Sequence, residues 1–255
     1  MRAIDAQLEP LPAGGILYDA ARIRKPSAPV FTRDFWASRG ALQEVRGGRG
    51  SVCFVTPAEF EIGLENPARW VLRHYRRGGP AAKVLSDSYL WTGAERTRCF
   101  REWRLLAELY RRGLPVPAPV AAKYERLGLM YRADLITQEL PESQTLTQCL
   151  AQGPLAQERW NAIGRTIARF HAQGVQHADL NAQNILLAPD GAAFILDFDR
   201  GRLRDRGPWE EQVLARLRRS LEKVTASGTA GVFGAQQWRW LLEGLGDRTE
   251  RKDKR

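Results

Sequence analysis

The segment His177-Ala178-Asp179-Leu180-Asn181-Ala182-Gln183-Asn184 is followed, after a short apolar stretch, by Asp197-Phe198-Asp199-Arg200-Gly201. The residues between read as two short strands, Asn184-Ile185-Leu186-Leu187 and Ala193-Phe194-Ile195-Leu196, joined by a turn at Pro189-Asp190-Gly191. Such a hairpin fixes three groups on rigid backbone. Asp179 offers a carboxylate that can take a proton, and Asn184 and Asp197 offer oxygens suited to a hard cation. An Asp and an Asn five apart are, singly, ordinary turn residues or helix caps. The joint occurrence of His, Asp, Leu, Asn, a strand pair and Asp-Phe carries the reading.

The spacing matches the kinase pattern H-x-D-L-x-x-x-x-N followed by a strand-end Asp. In that pattern the first Asp accepts the proton of the attacking hydroxyl, while the Asn and the second Asp hold magnesium on the phosphates of ATP. Asp179, Asn184 and Asp197 take those places, with His177 and Asn181 supporting the loop. A larger, mainly helical C-terminal lobe is then expected. Leu155 to Gln173 supplies its first long helix, since Trp160, Ile163, Ile167 and Phe170 recur at helical spacing and Gly174 stands at the C-terminal stop. These aromatics are assigned to the core, and His171 is read as a packed structural histidine. Trp209 to Ala226 and Gln236 to Leu245 are further helices.

Upstream, a smaller antiparallel β lobe with one helix is expected to cover the nucleotide. Val45 to Val55 reads as strand, glycine-rich turn, strand, with Gly47, Gly48 and Gly50 letting backbone amides approach phosphate oxygens. Arg69-Trp70-Val71-Leu72-Arg73-His74-Tyr75 is the next strand. Arg73 stands where kinases usually keep lysine, and Lys83 is its rival for the phosphate contact. On the helix from Ala94 to Arg112, Phe100, Trp103, Ala107 and Tyr110 share one face. Glu102 beside them would orient the strand's cation, with Glu95 as the alternative. Gly113 to Pro119 stops that helix. Gln138-Glu139-Leu140-Pro141 suits a hinge at which Glu139 could receive adenine.

Several stretches together resemble the 3-deoxy-D-manno-octulosonic acid (Kdo) kinase family, a branch of the protein-kinase-like superfamily. They are Gly15-Ile16-Leu17-Tyr18-Asp19, Gly48-Arg49-Gly50, Val71 to Gly79, Arg101 to Leu106, Gly113 to Pro117, His177 to Asn181 and Asp197 to Gly201. Most specific are R-H-Y-R-R-G-G, D-L-N in place of the D-L-K of protein kinases, and D-F-D-R-G in place of D-F-G. The resemblance implies an α+β bilobal fold, ATP and Mg2+ as cofactors, and Asp179 as catalytic base. It also implies transfer of the γ-phosphoryl group to the 4-hydroxyl of Kdo on a lipid A precursor, with Arg200 near the acceptor. Other sugar or small-molecule kinases also vary at position 181, so D-L-N alone leaves the acceptor open.

The expected organisation is an N-terminal extension over 1–30 packing on the small lobe, an N-lobe over 31–140, a C-lobe over 141–246 and a charged tail over 247–255. At 255 residues and 44% apolar, the chain can bury a core for one bilobal unit. A formal charge of +10 calls for an anionic partner. No nucleic-acid motif accompanies the basic residues, which lie in Arg73, Arg76, Arg77, Arg200, Arg202, Arg204 and Arg206. A phosphorylated glycolipid on an anionic membrane surface satisfies them instead. With neither a signal-peptide pattern nor an apolar span, the chain is expected in the cytoplasm, peripheral on the inner membrane's cytoplasmic face. Cys53, Cys99 and Cys149 are expected to be reduced and buried.

Overall fold

A computed structural model describes residues 2–24, 26–47, 50–57, 69–76, 87–226 and 233–246. The chain forms two compact units, one from residues 1–113 with 117–139 and the other from 114–116 with 140–255. The first takes in more of the chain, because the N-terminal hairpin, expected as an extension packed on the small lobe, joins the sheet itself. Strands β1 (Ala6–Leu11) and β2 (Gly14–Asp19) pair with each other, and β2 pairs with β7 (Pro119–Leu127).

Beyond β7 the antiparallel sheet runs through β8 (Met130–Gln138), β5 (Trp70–His74), β4 (Gly50–Val55) and β3 (Leu42–Gly47). The short β6 (Tyr89–Leu90) pairs with β8 off that path. One face carries Ile16, Tyr18, Trp70, Val120 and Ile136 against Val30, Phe31 and Trp36 of the segment that includes helix α1 (Arg33–Ala37). Helix α2 (Arg98–Arg111) packs on β7 and β8 and buries Cys99, Phe100, Glu102, Trp103, Leu106, Ala107 and Leu109. The single helix expected over Ala94–Arg112 is therefore divided. Ala94–Arg96 is a 3-10 turn, Thr97 is extended, and the Thr97 hydroxyl returns to the Ala94 carbonyl at 2.7 Å to close the turn before α2 begins.

The glycine-rich hairpin is present as β3 and β4, which meet at Gly47 and Gly50. Gly48, Lys83, Arg77 and the 247–255 tail lie outside the described residues.

The second unit holds the helices α3 (Leu146–Gln152), α4 (Gln157–Ala172), α5 (Trp209–Ala226) and α6 (Ala235–Leu245). Thr145 and Gln148 close a capping box at the start of α3, each satisfying a backbone amide of the other. In α4 the helical period buries Trp160, Ile163, Ile167 and Phe170, as the pattern requires. His171 is also buried, edge-on to Trp209 at 5.2 Å. Helix α4 stops at Gly174 (φ +69), where a Cβ would lie 2.2 Å from the Arg204 carbonyl oxygen, so glycine is required twice over. Helices α4 and α6 pack backbone to backbone. A Cβ on Gly164 would meet the Leu241 oxygen at 2.0 Å, and one on Gly244 the Asn161 oxygen at 2.1 Å.

Residues 114–116 belong to this unit because the Pro115 carbonyl accepts from the Ile195 amide at 3.0 Å. Cys53 and Cys99 are buried free thiols, but Cys149 is only half-buried, since its position on the short α3 leaves one side open. No described helix is long and apolar enough to cross a membrane.

Candidate active site

Two small ladders fasten the loop containing Asp179 and the segment containing Asp197 at both ends. Strand β10 (Val175–Gln176) pairs with β13 (Arg202–Leu203), and β11 (Ile185–Leu187), which also pairs with β9 (Gln144–Thr145), pairs with β12 (Ala193–Ile195). The second register sets Ile185 opposite Ile195, and the Leu196 amide donates to the Asn184 carbonyl at 2.9 Å. Asn184 and Asp197 are thereby brought side by side from positions 13 apart in the chain.

His177 braces the two segments. Its Nε2 lies 2.7 Å from the Leu196 carbonyl oxygen, and its Nδ1 accepts from the Asp179 amide at 3.2 Å. That pair of bonds requires the neutral tautomer with hydrogen on Nε2. Burial pushes its pKa below the ordinary imidazole value, outweighing the carbonyl contact and the nearby Asp197 and Asp179 charges, which push it up. Phe198, also buried, stands edge-on to His177 at 4.8 Å and stacks on Phe170 at 5.7 Å.

The loop's own side chains finish its shape. Both Asn181 and Asn184 donate from Nδ2 to the Asp179 carbonyl, at 2.9 and 3.0 Å, and Asn181 Oδ1 accepts from the Gln183 amide at 2.9 Å. Leu180 and Ala182 are buried beneath. The Ala182 carbonyl accepts from the Thr147 amide, and its own amide donates to Ser220 Oγ of α5. The Asp179 carboxylate is left half-exposed above this base. Because the Asn184 amide nitrogen is committed to the loop, its Oδ1 is the atom left to serve a cation. Asp197 holds φ +63, a left-handed conformation that costs a non-glycine residue energy and persists where the surroundings enforce it.

A residue that the sequence reading missed sits on Asp179. Arg216 of α5 approaches Oδ1 with Nε at 2.7 Å, and its Nη2 closes on the same oxygen. Nothing local in the sequence marks Arg216, one of several basic residues on the exposed side of an amphipathic helix 37 positions downstream. Arg200, by contrast, stands exposed in the turn after Asp197 and has no ion pair or side-chain hydrogen bond among the described residues. Arg204 and Arg206 are tied within the fold, to Gln176 and Glu210 respectively.

In the β unit, Arg73 and Tyr75 project from β5 and its extension on the face covered by α2. Arg73 Nη1 lies 2.9 Å from Glu102 Oε1, the Tyr75 hydroxyl donates to Glu102 Oε2, and the Arg73 guanidinium lies over the Tyr75 ring at 4.8 Å. Of the two glutamates considered as Arg73's partner, Glu102 fills the place, because Glu95 is taken by Arg104 at 2.6 Å. Tyr75 is the member that sequence reasoning did not single out. Burial and the Glu102 charge hold its phenol well above the ordinary tyrosine pKa, so it stays a donor.

On the opposite face, His74 Nδ1 meets Asp134 at 2.6 Å, and Lys123 reaches the same carboxylate at 3.1 Å. These three lie in one cross-strand row over β5, β8 and β7. The Asp134 hydrogen bond raises the His74 pKa. At the proposed hinge, the Glu139 amide donates to the Arg69 carbonyl at 2.8 Å and its carboxylate pairs with Arg69 Nε at 3.0 Å. Its amide and carboxylate are therefore already engaged with Arg69, the residue before β5.

A sequence profile of the lipopolysaccharide kinase (Kdo/WaaP) family matches residues 33–244. Among similar proteins, a 3-deoxy-D-manno-octulosonic acid kinase of Xylella fastidiosa (strain M12) is 46% identical over 212 residues, covering 83% of this chain and 81% of the relative. One from Xanthomonas campestris pv. campestris (strain B100) is 46% identical over 217 residues, 85% and 83% of the two chains. One from Vibrio parahaemolyticus is 38% identical over 208 residues, 82% and 84%.

Proposed function

The chain belongs to the lipopolysaccharide kinase (Kdo/WaaP) family, and from that premise we propose that it transfers the γ-phosphoryl group of ATP to the 4-hydroxyl of a Kdo residue on a lipid A precursor. It is a phosphotransferase with a hydroxyl acceptor, of the protein-kinase-like fold. The observation that carries the assignment of roles is the Asp179 loop. A half-exposed carboxylate is presented there on backbone pinned by His177, Asn181, Ser220 and a buried leucine, beside Asn184 and Asp197.

In this reading Asp179 takes the proton of the acceptor hydroxyl as that oxygen bonds to the γ-phosphorus and the bond to the β-phosphate oxygen breaks, releasing ADP. Pinning its main chain keeps the carboxylate at one position, so that positioning supplies much of the rate. Asn184 Oδ1 and the Asp197 carboxylate are hard oxygen donors, and two protein ligands completed by phosphate and water are what Mg2+ takes. Both residues fit that ion. Bound there, it would neutralise charge on the phosphates of ATP.

In the β unit Arg73, oriented by Glu102 and Tyr75, is the phosphate-binding cation, and Gly47, Gly48 and Gly50 are assigned to the contact with the phosphates. Lys83 remains the rival contact, and the Glu139 carbonyl receives adenine. An acceptor that is an anionic membrane glycolipid fits the +10 charge and supports action at the cytoplasmic face of the inner membrane as a peripheral protein. Two lobes and a charged C-terminal tail make up the enzyme, with the N-terminal hairpin counted in the first lobe.

The test is an ATP/Mg2+ assay on Kdo-bearing lipid A precursor, with the precursor lacking Kdo as control and mass spectrometry of the product. One added phosphate only when Kdo is present is the expected result. Asp179→Asn should abolish transfer while ATP binding stays near normal, and substantial residual transfer removes Asp179 from the role of base.

A further inference from the structure

We propose that Arg216 reads the carboxylate of the acceptor, from a place one hydrogen bond away from the carboxylate that receives the acceptor's proton. The inference rests on the functional reading above, in which the acceptor is a sugar acid. Helix α5 turns Val213, Leu214, Leu217 and Leu221 into the core. Arg216 and Ser220, one helical turn apart, reach the catalytic loop together. Ser220 holds the Ala182 amide at 3.2 Å, and this fixes where along the loop Arg216 lands.

The manner of landing matters. Arg216 brings two nitrogens, Nε and Nη2, to Oδ1 of Asp179, where a guanidinium meeting a carboxylate squarely would span both oxygens. Asp179 Oδ2 is therefore not engaged by Arg216 and can meet a hydroxyl. The rest of the guanidinium fork can meet a second anion. Both side chains are about half exposed, at 49% and 51%, and an ion pair so exposed adds little to folding stability. It is also cheap to rearrange when a better-matched carboxylate arrives.

The loop needs a cation from elsewhere. Protein kinases keep a lysine at the position of Asn181, whereas across residues 177–184 the only formal charge here is Asp179 itself, His177 being held neutral by burial. Arg216 supplies through space the positive charge that the loop lacks. A cation touching the base and open to solvent suits an acceptor whose own carboxylate lies a few bonds from the reacting hydroxyl, as in an ulosonic acid. A neutral sugar would leave the cation without a substrate partner, which gives selectivity for acids over neutral sugars.

The experiment compares the full-length enzyme with Arg216→Gln and Arg216→Lys on two acceptors. One is Kdo-bearing lipid A precursor, and the other is the same molecule with the Kdo carboxyl reduced to a primary alcohol. The unaltered enzyme should lose roughly tenfold to hundredfold in kcat/KM on the reduced acceptor, the range for a charge-assisted contact. Arg216→Gln should lose a similar factor on the native acceptor, mostly through acceptor KM, and little more on the reduced one. KM for ATP should move less than about threefold, and Arg216→Lys should recover part of the loss.

Equal losses of Arg216→Gln on both acceptors would mean that Arg216 acts only through Asp179 and would overturn the proposal. So would an unaltered enzyme indifferent to carboxyl reduction, a result that needs no variant to fold. Either of these leaves Kdo phosphorylation standing. No transfer by the unaltered enzyme to the native acceptor would instead overturn the functional reading, and this inference with it.

Discussion

Glu102 is the most instructive residue to remove, because its environment lets the cost be worked out. Its side chain is 1% exposed and accepts from both Arg73 and Tyr75. In Glu102→Ala the Tyr75 hydroxyl stays buried without that acceptor, a loss of about 1–3 kcal/mol. The Arg73 side chain is 34% exposed, so water screens its side of the pair, and losing that contact costs only about 0.5–1 kcal/mol. The vacated volume adds about 1 kcal/mol. Relief of a buried charge works the other way. The net expectation is about 2–4 kcal/mol, or a fall of about 6–12 °C in the melting transition of the β unit.

Glu102→Gln keeps the volume and an oxygen for Tyr75, and should cost about 1 kcal/mol. A cycle of Glu102→Ala with Tyr75→Phe should be non-additive by about 1–2 kcal/mol, since without the phenol the alanine leaves no hydroxyl stranded. Urea melts of the four proteins supply the numbers, and ATP titrations should show weaker binding for Glu102→Ala as Arg73 loses its orientation. A cost below about 1 kcal/mol for Glu102→Ala, or a cycle additive to within ~0.3 kcal/mol, would refute the reasoning.

Asp197→Ala should weaken Mg2+-dependent nucleotide binding, read by titrating ATP with and without the ion, and unchanged binding would discredit the metal assignment. Gly164→Ala places a methyl 2.0 Å from the Leu241 carbonyl oxygen, so α4 and α6 must separate, and a loss of about 1–3 kcal/mol is expected in thermal melts. His177, with its pKa lowered by burial, contributes stability that is present above the ordinary imidazole value of 6.5 and is lost as pH falls, because the unfolded chain takes up the proton first. The stability gap between the unaltered protein and His177→Gln should therefore narrow from pH 7 to pH 5, and a widening gap would contradict the neutral, buried state. His74, with its pKa raised by Asp134, runs oppositely, its contribution present below 6.5 and fading as pH rises, so His74→Gln should narrow its own gap toward alkaline pH.

Local pattern was enough wherever one element's own period or turn chemistry fixed the outcome. Helix α4 follows from Trp160, Ile163, Ile167 and Phe170 returning to one face, and its end follows from Gly174 at the C-terminal stop, where the backbone is left-handed. The β11–β12 hairpin follows from two apolar runs around Pro189-Asp190-Gly191, and with it the meeting of Asn184 and Asp197. Position in the strand put Arg73 forward as the cation, although the sequence left both Glu95 and Glu102 open as its partner. Glu102 is chosen because the N-terminal break at Thr97 sets the rotation of α2, and that rotation buries residue 102 while leaving 95 on the preceding turn for Arg104.

The N-terminal residues joined the sheet for a similar reason. Nothing along the chain next to β1 and β2 names their partner, and β2 finds its ladder on an edge of β7, distant in sequence, with β1 pairing outside it. Arg216 lay furthest from view. On the helical period it is one more arginine on a solvated face, and its place on Asp179 depends on how α5 docks through Leu217 and Leu221 and hooks the loop with Ser220. Short-range period and turn chemistry are written residue by residue. Which charged groups meet is decided by the angle at which separately coded elements pack, and that angle is set by the shapes of all the side chains between them at once.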